Sequence, residues 1–193
     1  MAGKDGWTWF CTGALVSPNV VVTAAHCLQS ALFDSWEIVF PLLAARTRVK
    51  GTPTMYDAKW SDVAHPDLGI VRLATPVTLP QYAVLTDVSA RVAAGEKLSV
   101  ASIVRTAEKP EAAMAQTKAL GVFSTANRGY MSGYGVPIYS HGGDSGAGMF
   151  LVVNGVMSHE VVGVEREPDP EVGADHLSRI DQAFIDWVKA QGL

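Results

Sequence analysis

The sequence of 193 residues predicts an all-β protein, on three observations. Short apolar and β-branched runs recur along the chain, and Gly, Pro, Asn and Asp separate them, which is typical of a sandwich or barrel with many turns. Asn154-Gly155 stands between two such runs and predicts a hairpin, because a type I′ turn needs residues that tolerate positive φ. Helical spacing of apolar residues is clear only near the end of the chain.

The strands are predicted in chain order at 19–23, 37–40, 68–73, 98–104, 150–153 and 161–164. The stretch 74–92 has little strand pattern and contains Pro76 and Pro80, so it predicts a linker between two halves, 1–85 and 86–193. Ile180, Phe184 and Val188 recur at helical spacing with charged residues between them. They predict a closing amphipathic helix at about 178–191, whose apolar stripe is a packing face.

Composition excludes several classes of function. The 15 basic and 19 acidic residues are spread along the chain and give a net charge of −4, so neither nucleic acid nor an anionic membrane is an expected partner. No run approaches the ~18 apolar residues of a membrane-spanning helix. We expect a soluble monomer.

The two cysteines, Cys11 and Cys27, flank a strand-like stretch and form no Cys-x-x-Cys pair, which disfavours a redox or zinc site. Their spacing alone leaves two interpretations open. They are either two buried thiols or a disulfide closing a short loop in an oxidising compartment.

Three local patterns contain the groups that serine-dependent amide hydrolysis needs, namely a nucleophilic hydroxyl, an imidazole base and an orienting carboxylate. The first is Thr-Ala-Ala-His-Cys at 23–27, directly after a predicted strand. A single histidine after a strand is more often a loop or core residue. Here His26 is followed by Cys27, with Cys11 sixteen positions earlier.

The second pattern is Gly-Gly-Asp-Ser-Gly at 142–146. Glycines on both sides of Ser145 let the backbone bend sharply and let a substrate approach. The N–H groups of Gly143 and Ser145 can then converge on a developing oxyanion.

The third pattern places Asp67 immediately before the predicted strand 68–73. An aspartate in such a position is usually a cap or a turn residue. Asp62 is the competing candidate for an orienting carboxylate, but no strand follows it directly.

Together these patterns resemble the trypsin-like serine peptidases, in the chain order His26, Asp67, Ser145. The resemblance implies two six-stranded antiparallel β-barrels with a C-terminal helix and an active site in the cleft between the barrels. It also implies a Cys11–Cys27 disulfide, His26 as general base, Asp67 as the residue that orients it, and Ser145 as nucleophile. Gly143 and Ser145 would form the oxyanion hole.

Two departures from the family pattern affect the site. The aspartate before the nucleophile, here Asp144, usually pairs with a freed Ile-Val-Gly-Gly type amino terminus, which this sequence lacks. Some bacterial members use an internal arginine, for which Arg128 is the candidate, with a solvated loop arginine as the alternative. The Ser-Trp-Gly edge of the family is replaced by Glu165-Arg166-Glu167-Pro168, which removes the usual hydroxyl support of the orienting aspartate.

The specificity pocket is assigned to Tyr139, Ser140 and Asp175. Tyr139 stands six positions before Ser145, where trypsin-like members hold an acid, so a standard pocket for Lys or Arg is not expected. Asp175 aligns with a pocket wall and would supply a displaced negative charge; alternatively it is a surface loop residue. A pocket shortened by Tyr139 would favour small or medium apolar side chains.

The function predicted from these residues is a secreted or periplasmic serine endopeptidase that acts on peptides or proteins and meets proteinaceous inhibitors. No cofactor is expected, and the other histidines lack metal-ligand spacing, so no metal is expected either. Two alternatives remain: a catalytically silent or zymogen-like homologue that acts as a binding protein, and an esterase that uses the same three residues.

Overall fold

A computed structural model describes residues 2–3, 10–29, 33–43, 46–106, 113–126 and 129–192. The fold consists of two antiparallel sheets and a helix near the end of the chain, which confirms the predicted all-β class. Each sheet has its own cluster of buried apolar side chains.

Among the described residues, the first sheet contains six strands in the order β1-β4-β5-β6-β3-β2. Their bounds are Ala2–Gly3 (β1), Ala14–Ser17 (β2), Val20–Thr23 (β3), Phe33–Val39 (β4), Arg48–Met55 (β5) and Gly69–Leu73 (β6). β3 and β6 are fully or almost fully buried, as their apolar sequences predict. They pair with each other in antiparallel orientation, between β5 on one side and β2 on the other.

In the described ranges, the second sheet contains nine strands where six were expected, because the chain between β8 and β12 forms several pairings of only two or three residues. The bounds are Val84–Leu85 (β7), Ser99–Arg105 (β8), Met114–Gln116 (β9), Leu120–Gly121 (β10), Phe123–Ser124 (β11), Gly133–Pro137 (β12), Gly148–Val153 (β13), Val156–Asp169 (β14) and Ala174–Arg179 (β15). β14 is the longest strand and pairs with β13 and β15.

The predicted hairpin at Asn154-Gly155 joins β13 to β14. Both residues have positive φ, 52° and 79°, as a type I′ turn requires. This turn confirms the sequence-based prediction.

Two α-helices are present among the described residues, a short one at Ser89–Ala93 (α1) and one at Gln182–Ala190 (α2). α2 begins later than the predicted 178, because residues 174–179 are a strand and the Asp181 side chain caps the helix by accepting a hydrogen bond from Phe184 N at 3.0 Å. Phe184 and Val188 pack into the apolar cluster of the first sheet. The closing helix therefore joins the last part of the chain to the first sheet.

The division of the chain at 85/86 stays a prediction. β7, just before that point, pairs in parallel with β14 of the second sheet. No described helix is long and apolar enough to cross a membrane.

Candidate active site

His26 and Asp67 meet at the same end of the first sheet. β3 and β6 pair with Thr23 opposite Gly69, so the turn that follows β3, with His26, and the segment that precedes β6, with Asp67, are brought together. The Asp67 carboxylate accepts two hydrogen bonds from His26, one from the main-chain N–H at 2.8 Å and one at the ring Nδ1 at 2.6 Å. The Asp67 side chain is 1% exposed, while that of His26 is 23% exposed and opens to solvent. This arrangement fixes both the position of the imidazole and the nitrogen that faces the carboxylate.

A disulfide between Cys11 and Cys27 lies directly beside His26, as the sequence resemblance implies. Both sulfurs are bonded to each other, so they are not available as thiolate ligands although they lie within 4.8 Å of a ring nitrogen of His26. The bond ties the histidine turn to the segment before β2. It thereby restricts the two stretches of chain that frame the site.

We expect the double substitution Cys11→Ser and Cys27→Ser to destabilise the protein by about 3 kcal/mol, because a cross-link over a loop of this length removes conformational entropy from the unfolded chain. That corresponds to a fall in Tm of roughly 6–12 °C for a chain of this size. Thermal unfolding followed by circular dichroism measures it, with untreated and reductant-treated wild type as controls. An unchanged Tm would contradict a stabilising role for the bond.

Ser145 lies in the loop between β12 and β13, and this loop docks on the first sheet beside the histidine turn. Thr12 N donates to Ser145 O at 2.8 Å, and Thr12 Oγ1 donates to Gly143 O at 2.9 Å. The carbonyl oxygen of Ser145 is 3.8 Å from Sγ of Cys27, the neighbour of His26. Within the described residues, the Ser145 hydroxyl makes no hydrogen bond to His26, and such bonds often tighten only when substrate is bound.

The glycines around Ser145 are required by the backbone and by close packing. Gly143 and Gly146 have φ of 98° and 86°. A Cβ on Gly146 would lie 2.1 Å from Thr23 Oγ1 and 2.3 Å from Thr12 O, so any side chain there would push the loop away from the first sheet. In the described part of the chain, neither Gly143 N nor Ser145 N donates a main-chain hydrogen bond.

Comparisons with known proteins agree with this geometry. The sequence matches the Trypsin family over residues 1–166. The chain belongs to the trypsin family. This membership confirms the resemblance inferred from the sequence motifs.

One relative and two solved structures show how far this similarity extends. Brachyurin from Leptuca pugilator is 33% identical over 76 residues, which cover 37% of this chain and 34% of that protein. A solved Glu endopeptidase in complex with MPD has a TM-score of 0.70 at 15% identity, covering 94% of this chain and 84% of its own. HL collagenase has a TM-score of 0.75 at 15% identity, covering 100% and 91%. The two structures show that the trypsin-family chain has their fold.

Asp144, which precedes Ser145, is fully buried, and its carboxylate is held by main-chain groups. Arg105 N donates to Oδ1 at 2.9 Å and His141 N donates to Oδ2 at 3.0 Å. The Arg105 guanidinium lies near this carboxylate. Burial lowers the pKa of Arg105, and the negative charge of Asp144 opposes that effect. Arg128, the candidate for an internal arginine that pairs with Asp144, lies outside the described residues.

Residues 165–168, which stand where the family has its Ser-Trp-Gly edge, lie near the C-terminal end of β14. Arg166 is buried and donates from Nη1 to His65 O at 2.9 Å and from Nη2 to Trp60 O at 3.0 Å. Trp60 in turn lies near His26, with 6.1 Å between ring centroids. Arg166 thus ties the second sheet to the loop that leads into Asp67. The hydroxyl group that contacts Asp67 comes from Ser178 of β15, whose Oγ accepts a hydrogen bond from Asp67 N at 2.9 Å.

The predicted pocket residues Tyr139, Ser140 and Asp175 lie together, beside β14 and β15. Asp175 is not a surface residue; it is fully buried and accepts hydrogen bonds from Tyr139 N at 2.6 Å, Ser140 N at 3.0 Å and Ser140 Oγ at 2.8 Å. Its carboxylate is therefore used to hold the turn at 139–140. A direct contact between any of these residues and a substrate stays a prediction.

Sequence reasoning did not assign a role to Glu165, which the structure places next to these residues. Glu165 is buried, and its Oε2 accepts a hydrogen bond from the Tyr139 hydroxyl at 2.7 Å. Burial, followed by the nearby charge of Asp175, raises the pKa of the Glu165 carboxyl well above its usual range. The sequence contained one signal of this burial, since Glu165 directly follows the buried run 161–164 within a strand.

Proposed function

We propose that this trypsin-family protein is a serine endopeptidase with Ser145 as nucleophile. The observation that carries the proposal is the buried Asp67 carboxylate bonded to both His26 N and Nδ1, beside a loop that presents Ser145 between two glycines at positive φ. A carboxylate at Nδ1 leaves the other ring nitrogen, Nε2, unprotonated and able to accept a proton.

The groups act in sequence on the peptide carbonyl. Ser145 Oγ attacks the carbonyl carbon while its proton passes to His26 Nε2, and Asp67 stabilises the imidazolium that forms. The N–H groups of Gly143 and Ser145 stabilise the negative charge on the carbonyl oxygen. His26 then gives the proton to the leaving amine, and water releases the acyl group from Ser145 by the same steps in reverse.

Peptides or proteins are the substrates that this mechanism implies, and the proposal requires no cofactor or metal. We place the protein in a secreted or periplasmic setting, since the Cys11–Cys27 disulfide is of the kind that persists in oxidising compartments. A proteinaceous inhibitor that occupies the same cleft, and a monomeric state, are part of the same proposal.

Labelling with a fluorophosphonate probe, followed by mass spectrometry of the digested protein, tests the proposal. We expect a single adduct on Ser145, because phosphonylation needs both an activated hydroxyl and a formed oxyanion hole. Heat-denatured protein is the control and should remain unlabelled. An adduct on a different serine, or none in a folded sample, would reject Ser145 as the nucleophile.

A catalytically silent homologue is the second candidate, favoured by the absence of a Ser145–His26 hydrogen bond among the described contacts. The labelling experiment separates it from the first, because a silent homologue leaves the probe unreacted. Turnover of an activated ester together with failure on every peptide bond would instead support an esterase.

A further inference from the structure

A cavity of about 700 Å³ is lined by both sheets and lies outside the candidate active site. Its walls come from β2, β3 and β4 of the first sheet and from β8, β9, β13 and β14 of the second. None of His26, Asp67 and Ser145 is among the described residues that line it. Its volume is in the range of cavities that bind small organic molecules.

The walls of this cavity are mostly apolar, and many of their side chains are only half-buried. Leu15 and Ile38 belong to the first sheet, Phe40 follows it, and Phe150 and Met157 belong to the second. All five are partly open to solvent. An apolar ligand between the sheets would remove this surface from water, which is favourable.

The turn between β4 and β5 forms the exposed part of the lining. Phe40 N closes this turn by donating a hydrogen bond to Thr47 O at 2.8 Å. Leu42 in the turn is 75% exposed and Val39 just before it is 37% exposed, and both line the cavity. Because these side chains face both the cavity and the solvent, they mark where the cavity opens. Exposed apolar surface at such an opening is typical of a binding site.

The charged groups that line the cavity are mostly basic. Arg46 and Arg48 lie at the turn between β4 and β5, and Arg105 and His159 line the cavity from the second sheet. Glu37 is the one acidic residue among the described lining residues, and it forms an ion pair with Arg48. In a protein with a net charge of −4, this lining therefore favours an anion over a cation.

We propose that this cavity binds a free long-chain carboxylate of the fatty-acid class. The hydrocarbon chain would lie between the two sheets, and the carboxylate would lie at the turn between β4 and β5, beside Arg46. An arginine suits this head group because its guanidinium matches the planar geometry of a carboxylate. The inference goes beyond the proposed function and does not depend on it.

Isothermal titration calorimetry with sodium dodecanoate, below the concentration at which it forms micelles, tests the inference. We expect one site with a Kd on the order of 10 µM, which a ligand of this size can reach. The affinity should rise roughly tenfold from octanoate to decanoate and again to dodecanoate, because each step buries two more methylene groups. Dodecyltrimethylammonium, which has the same chain and the opposite charge, should bind at least about tenfold more weakly.

Two substitutions at the opening test the position of the carboxylate. Arg46→Gln should weaken dodecanoate binding about fivefold, because it removes one positive charge at an exposed position. Glu37→Gln should strengthen it about threefold, because it removes the acidic residue that competes for Arg48. Arg91→Gln is the matched control, since Arg91 is an exposed arginine that pairs with Glu96 away from the cavity, and it should leave Kd unchanged.

A substitution in the wall tests the position of the hydrocarbon chain. Ala83 is half-buried in the wall, and its main-chain N–H donates to Leu15 O at 3.0 Å, a bond that a new side chain does not remove. Ala83→Glu should weaken binding at least about tenfold, because it places a negative charge where the chain lies. Ala90→Glu adds the same charge on the exposed face of α1 and should leave Kd unchanged. Circular dichroism checks that each variant is folded.

Several outcomes would overturn the inference. Absence of saturable binding in the folded wild type, equal affinity for dodecanoate and dodecyltrimethylammonium, or binding only to anionic phospholipid vesicles would each do so. Unchanged affinity in folded Ala83→Glu would show that the chain lies elsewhere. A dimer that dissociates in Leu42→Asp, measured by sedimentation velocity, would assign this surface to a second copy of the chain. Ser145→Ala should bind dodecanoate as the wild type does, and loss of binding in that variant would place the ligand in the active site instead.

Discussion

Ser145→Ala is expected to lower kcat for peptide hydrolysis by about 10⁶-fold while leaving the fold unchanged. The hydroxyl oxygen is the only heavy atom removed, and the bonds that hold this loop, including those from Thr12 N to Ser145 O and from Thr12 Oγ1 to Gly143 O, do not use it. Alanine preserves them. The measurement is single-turnover hydrolysis of a good peptide substrate, with thermal unfolding as the check on stability.

The same measurement on His26→Ala and on the double variant tests whether the two residues act as one unit. We expect each single variant and the double variant to show nearly the same residual rate, because a base without its nucleophile contributes little. Losses that multiply would show that His26 and Ser145 act independently. Residual activity near wild type in Ser145→Ala would identify another nucleophile.

The features of the fold and of the site that the sequence predicted are those where local chemistry determines local structure. The turn at Asn154-Gly155 follows from the φ that these two residues tolerate. Gly146 likewise follows from its position beside Ser145, where any Cβ would collide with Thr12 and Thr23. The disulfide partners were implied because the sequence around His26 resembles a known family.

The parts that the sequence did not predict depend on contacts between distant residues. β5 was missed because it contains Gly51 and Pro53 and has a single buried side chain, so its pairing with β4 and β6 stabilises it more than its own propensity does. The roles of Arg105, Glu165 and Arg166 were missed for a related reason. Each contacts a residue at least 26 positions away, and burial of a charged group is not visible in its neighbours along the chain.

Hydrogen bonds made by Asp67 and Arg166 connect the two sheets at the candidate site. Asp67 lies just before β6 of the first sheet, yet its main-chain N–H is bonded to Ser178 of β15. Arg166 of β14 holds the carbonyls of Trp60 and His65 in the loop before Asp67. A shift between the sheets would therefore move the carboxylate that orients His26, as well as the loop that carries Ser145.

Asp67→Asn is expected to lower kcat by about 10⁴-fold, through the tautomer of His26. Asp67 accepts from His26 N with one oxygen and faces Nδ1 with the other. Because the main-chain N–H is always a donor, it requires the single oxygen of an asparagine, which turns the NH₂ group toward Nδ1. Nδ1 must then accept, the proton moves to Nε2, and the ring can no longer take the proton of Ser145.

Asp62→Asn is the matched control for this prediction, since Asp62 was the competing orienting carboxylate and instead accepts a hydrogen bond from Ala64 N within its own loop. It should retain kcat within about twofold, because a change at an exposed loop residue leaves the His26 tautomer as it is. The ¹⁵N chemical shifts of the His26 ring report the tautomer directly in both variants. A large loss of activity in Asp67→Asn with the proton still on Nδ1 would show that the negative charge, and not the tautomer, is what His26 requires from Asp67.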